Sequence, residues 1–172
     1  LGHEMSITSF YGLQGARINW QGIPVFPVGK HPYGQDVMSA HAEFAGAQVI
    51  ISLLDIWVCR PDDIRLPWFP WFPIDHEPIP ANVAAVASRA TKPITMSKFG
   101  HRMAQNAGIE SFYVPHGVET NVFKPIDRAE ARGRMGLPAD AFIVGMVAAN
   151  KGNPPRKAFY EQITAFAALK KR

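Results

Sequence analysis

The chain has 172 residues, 47% hydrophobic and 19% charged, with a formal charge of +4. Those proportions match an ordinary globular protein and exclude a disordered, collagenous or coiled-coil chain. No apolar run reaches the roughly 20 residues that span a bilayer, and the positive charge gathers in residues 151–157 and 170–172, which suits a local anion site better than a nucleic-acid surface.

Residues 5–10 and 23–28 read as short strands separated by a turn containing Gly12 and Gly15. From Asp36 the period lengthens: Val37, Ala40, His41 and Phe44 share one helical face, which stops near Gly46. Residues 49–58 are almost continuously apolar, the pattern of a strand covered on both faces. Cys59, the one cysteine, cannot form an internal disulfide and reads as a small apolar residue at a strand end. With no secretory pattern in LGHEMSITSF, it points to a reducing, cytoplasmic setting.

Residues 68–80 read WFPWFPIDHEPIP. The prolines exclude a helix interior, and the aromatics are too apolar for an ordinary solvated loop. An extended segment ending in a cleft satisfies both conditions. Side chains alternate along such a segment, so Trp68, Phe69, Trp71 and Phe72 cannot all face inward, and at least one is expected to be exposed.

Residues 81–89 carry Val83, Val86 and Ala87 at helical spacing, and residues 93–96 form a short strand. Ser97 suits the N-cap of a helix that carries Phe99 and Met103 and ends at Gly108. Residues 111–114 are a further strand, and residues 115–125, with proline at both ends, a connector between lobes. Asp127 and Glu130 have capping-box spacing before a helix that stops at Gly136. Residues 142–148 are expected to form a last strand, and residues 157–171 a last helix with Phe159, Ile163, Phe166 and Ala167 inward.

Strands and helices alternating at these lengths predict an α/β fold: a doubly wound, Rossmann-like parallel sheet with helices on both faces. Ligands bind such sheets beyond the carboxyl ends of the strands. That rule selects the loop after residue 58, the loop around His76, and the loop AANKGNPPRK at residues 148–157. In the last of these, free backbone donors of a helix start would act with Lys151, Arg156 and Lys157 on a diphosphate. It is neither a GxxxxGK[ST] loop nor a GxGxxG loop, and basic loops are also common on solvated surfaces. Asp55 and Trp57 stand where they could touch a ligand, or simply end a strand.

TMSKFGHRMAQNAGIESFYVPHGVETNVFKP, followed by FIVGMVAANKGNPPRKAF, resembles the group 1 glycosyltransferases of the GT-B fold, over residues 95–167 and more loosely before them. The resemblance implies sugar transfer from a nucleotide-sugar donor to a carbohydrate, lipid or protein hydroxyl, of the hexosyltransferase type, with retention and with neither metal nor other cofactor required. It divides the chain into an acceptor-side lobe, residues 1–125, and the start of a donor-binding lobe, residues 126–172. The family's basic pair on the donor diphosphate falls on Lys151 and Lys157; the first is usually Arg, and the glycine that usually follows the second is Ala158. The family's cleft-facing histidine falls on His76, with Asp75 or Glu77 able to orient its ring on the acceptor side. The bland alternative for His76 is a hydrogen bond within a Pro-rich turn.

By the same resemblance the chain is an internal piece of a longer enzyme, without that family's first strand and glycine-rich turn and without its paired donor-site glutamates. Exposed aromatics would serve peripheral membrane contact or a homo-oligomer. The competing reading is a non-catalytic Rossmann-like binding or regulatory module.

Overall fold

The computed structural model describes residues 2–170. They form two compact units that divide between Val118 and Glu119, a little before the boundary expected at residue 125.

The first unit is α/β. It opens with a three-stranded sheet of β1 (Ile7–Thr8), β2 (Ile18–Trp20) and β3 (Ile23–Phe26), in the order β1-β3-β2. β2 and β3 are an antiparallel hairpin, and β1 runs parallel to β3. The hairpin turns on Gln21 and Gly22, both at positive φ of 51° and 85°, the left-handed pair that matches the strands' own twist. Asn19 Oδ1 accepts the Gly22 N–H at 2.8 Å and holds the turn.

Helix α1 (Met38–Phe44) follows, and His41 stacks on the buried ring of Phe26 with centroids 4.8 Å apart. Burial of His41 pushes its pKa below the ordinary 6.5, against the opposing pull of Asp36. Gly46, at φ 67°, ends the helix as expected.

The second sheet is all parallel, with β4 (Ile50–Leu53), β5 (Trp68–Phe72), β6 (Ile94–Thr95) and β7 (Phe112–Tyr113) adjacent in chain order. The apolar run of residues 49–58 is therefore not one strand. β4 stops at Leu53, and Asp55 begins a 3-10 turn at Ile56–Val58, because an apolar run without a period cannot separate a strand from a buried turn.

WFPWF is the central strand β5, between β4 and β6. Pro70 is tolerated there by parity. The Trp68 amide points away from β4 and donates to Thr91 Oγ1 at 2.9 Å. The nitrogen of Pro70 points the same way, and β6 begins pairing only opposite Trp71, so no ladder bond is lost. Trp68 and Phe72 are buried while Phe69 and Trp71 are half-buried; the expectation that at least one of the four would be exposed fails, because the second face is partly covered.

The core lies under one face of this sheet. Trp68, Phe72, Ile50 and Ile56 pack against Val83 and Ala87 of α2 (Ala81–Ala87) and Met103 and Ala104 of α3 (Lys98–Asn106). Trp68 Nε1 donates to the buried Ser52 hydroxyl at 2.9 Å. On the opposite face Ile51 and Leu53 are 64% and 54% exposed. The expected helices on both faces are thus not found among the described residues, and four strands in chain order lack the reversal that double winding requires.

Caps fell where the side-chain chemistry put them. Ser97 Oγ accepts the Gly100 N–H at 2.9 Å, and Gly108 takes φ 72° after α3. Gly100 itself admits α3 close to the chain after β5, since a Cβ there would lie 3.3 Å from Ile74 Cβ.

Cys59 is a free, buried thiol whose pKa is pushed up to about 11 by burial. The protonated form is the one the fold prefers, so its contribution to stability is complete below an ordinary thiol pKa and is lost as pH rises through 11. Iodoacetamide should therefore leave Cys59 unmodified at pH 8 and alkylate it rapidly once the chain is unfolded in denaturant. Rapid alkylation of the native chain would contradict this burial.

The second unit contains α4 (Arg128–Met135) and α5 (Phe159–Lys170). Asp127 Oδ1 accepts from the Ala129 and Glu130 amides at 2.9 and 3.0 Å, and Gly136 ends α4 at φ 64°. The strand expected at residues 142–148 is absent; this stretch is irregular, with Phe142 84% and Val144 59% exposed. A β-prone segment becomes a strand only against a neighbouring strand, and none of the described residues supplies one. Of the inward face expected for α5, Phe159 is half-buried, while Ile163 and Phe166 are 67% and 42% exposed and Ala167 is exposed. Lys171, the expected end of that helix, lies outside the described residues.

Candidate functional site

A cavity of about 350 Å³ opens at the carboxyl ends of the strands of the first unit. Phe10 follows β1, Leu53 ends β4 and Leu54 follows it, Pro73 follows β5, and Met96 follows β6. Strand order brings the ends of β4, β5 and β6 together, and Phe10 joins them from the other sheet. Tyr33, from the loop before α1, and Asp55 and Val58, from the 3-10 turn, complete the lining.

Two hydrogen-bonded ties shape this corner. The side-chain amide of Gln35, itself only 6% exposed, donates to the Val58 carbonyl and fastens the Tyr33 loop to the turn. Asp36 Oδ2 accepts the Lys30 N–H at 2.7 Å, and that bond holds the Asp36 pKa below the usual carboxylate range. Gly29 is required beside it, because a Cβ there would fall 2.2 Å from Asp36 Oδ1.

The far wall is held by an aromatic relay. His116 Nε2 lies 3.1 Å from Met96 Sδ, the arrangement of an imidazole N–H donating to a thioether. Its ring packs against Trp71 at 4.6 Å between centroids, and Trp71 Nε1 donates to the Val114 carbonyl at 2.9 Å. The half-buried face of WFPWF thus fixes the rim through His116.

Of the residues singled out from sequence, Asp55 is in the cavity lining. It is exposed and its carboxylate makes no capping hydrogen bond to the turn it begins, which leaves its oxygens able to accept from a ligand. His76 is exposed, three positions beyond Pro73, with Nδ1 2.6 Å from Asp75 Oδ1. That bond can orient the ring as anticipated, but neither His76, Asp75 nor Glu77 lines the cavity. Trp57 is 56% exposed beside it.

Lys151, Arg156 and Lys157 belong to the second unit and are exposed on an irregular loop. The Lys157 carbonyl accepts from Gln162 Nε2 at 2.8 Å, and α5 begins two residues later, at Phe159. The helix therefore does not open on Arg156 and Lys157, because Ala158 takes a positive φ of 49° and breaks the helical path there.

Phe10, Tyr33, Gln35 and Met96 carried no sequence signal of their own. Phe10 and Met96 follow different strands and Tyr33 and Gln35 share the loop before α1, so only the folded chain brings them together. Among the described residues no group of three or more His, Cys, Asp or Glu side chains is placed to hold a metal ion, and no helix is long and apolar enough to cross a membrane. Compared with protein-family models, with curated proteins and with solved structures, the chain matches none.

Proposed function

We propose that the chain belongs to a retaining, metal-independent glycosyltransferase of the two-lobed GT-B type, in which the first unit is the acceptor-side lobe and the second begins the donor-binding lobe. The observation that supports this best is the cavity at the carboxyl edge of a parallel sheet, with Asp55 on its lining. Lys151, Lys157 and Arg156 would stabilise the charge that builds on the diphosphate as its bond to the sugar breaks. His76, oriented by Asp75, would serve the incoming hydroxyl.

Two further features agree with an incomplete lobe. β1 and β4 are each at the end of their sheet, and the chain beyond both carboxyl ends lines the same cavity. A parallel strand between them, with a helix over Ile51 and Leu53, would pair both edges and supply the reversal of a doubly wound sheet. Ala158, standing where the glycosyltransferase resemblance expects glycine, has the left-handed φ that glycine favours.

A non-catalytic binding module is favoured by one observation: His76, Lys151, Arg156 and Lys157 are all exposed, without the desolvation that usually tunes catalytic groups. The discriminating experiment incubates the protein encoded by the whole reading frame, and this chain alone, with a panel of nucleotide-sugars and alcohol acceptors. Transfer by the former and none by the latter above a protein-free control is the expected result. Binding without transfer by both would favour the module.

A further inference from the structure

We infer that the cavity takes an uncharged amphipathic alcohol, with an apolar alkyl or aryl body and a hydroxyl group donating to Asp55, and that it rejects phosphorylated ligands. This rests on the proposed acceptor-side reading and adds the chemical class of the acceptor. Phe10, Tyr33 and Leu53 are 47%, 37% and 54% exposed, yet they line one hollow together with the half-buried Leu54, Val58 and Met96. Apolar side chains gathered in one concavity are the signature of a ligand that brings its own apolar surface.

The polar part is as informative. Asp55 is the one charged side chain in the lining, and no Lys, Arg or His accompanies it. A carboxylate with free acceptor sites recognises a hydroxyl donor. It repels a phosphate, and nothing in the lining offsets that repulsion. The cavity volume of about 350 Å³ is at the small end of small-molecule sites, so one ring or a short chain fills it. Met96 in the lining is held by His116, whose ring packs on Trp71, so this part of the lining is fixed before a guest arrives.

The test uses the 172-residue chain with methyl-labelled Leu, Val and Met. Hexyl β-D-glucoside, glucose and glucose 6-phosphate are titrated separately while methyl resonances are followed. Hexyl glucoside should shift the Leu53, Leu54, Val58 and Met96 methyls, with glucose about tenfold weaker or more for want of an apolar body. Leu53→Asp should weaken hexyl glucoside by about tenfold, and Asp55→Asn by several-fold. Both positions are exposed, and unchanged Met103 methyl shifts would certify that each variant is folded. Glucose 6-phosphate shifting the same methyls as strongly as hexyl glucoside would overturn the proposal, as would no shift with any of the three. If the expected shifts appear but the whole protein transfers no sugar, the ligand class stands and the glycosyltransferase reading falls. If transfer is found only to phosphorylated acceptors, the reverse holds.

Discussion

Lys157→Ala in the complete protein should lower turnover roughly 10² to 10³-fold, equivalent to about 2–4 kcal/mol of transition-state stabilisation. The reasoning is electrostatic. When the sugar leaves, a diphosphate gains negative charge, and a cation already in place stabilises that charge without reorganising at the moment of reaction. Lys151→Ala should act in the same direction and more weakly, because a Lys in place of the resembling family's Arg supplies charge without the bidentate fork. Both lysines are exposed and irregularly placed in this structure, so neither substitution should shift the melting temperature. Turnover within about threefold of wild type for both would assign the loop to ordinary solvated surface.

Phe72→Ala should destabilise the first unit by about 3–5 kcal/mol, the usual cost of emptying a buried aromatic site. Phe72 is 1% exposed at the carboxyl end of β5 and belongs to the cluster that joins the sheet to α2 and α3. Since whole domains are stable by only about 5–15 kcal/mol, the variant should be largely unfolded in moderate denaturant. Trp71→Ala, one position earlier on the other face, should cost clearly less. It removes a half-buried ring, one hydrogen bond to Val114 and the support of His116, and should show mainly as weaker ligand binding. Equal losses of stability from the two substitutions, measured by chemical denaturation, would mean that both faces of β5 are equally packed.

What could be read in the sequence was what local chemistry decides. Ser97, Asp127, Gly108 and Gly136 set helix ends through bonds and dihedrals within a few residues. The carboxyl-edge rule reached Asp55 for the same reason, since a strand end is a local feature even when its neighbours are not. What could not be read depended on partners distant in sequence. Proline is ordinarily excluded from an inner strand, yet the missing N–H of Pro70 faces a stretch where β6 has not begun. Residues 142–148 have the composition of a strand and no neighbour among the described residues to make them one. β2 carries no hairpin signal in the sequence because Gln21, rather than Asn or Gly, occupies the first left-handed position of its turn. The Trp71–His116–Met96 relay joins three elements whose proximity only the strand order creates.

If this chain is part of an enzyme that moves a sugar with retention, as proposed, the product's anomeric centre reports on that directly. The complete protein should be incubated with each of a panel of nucleotide-sugars and a neutral amphipathic alcohol, and the proton spectrum of any product followed from the first minutes. The expected result is a glycoside whose anomeric configuration matches that of the donor from the earliest time point. A product of inverted configuration, or intact donor after prolonged incubation with every nucleotide-sugar tried, would contradict it.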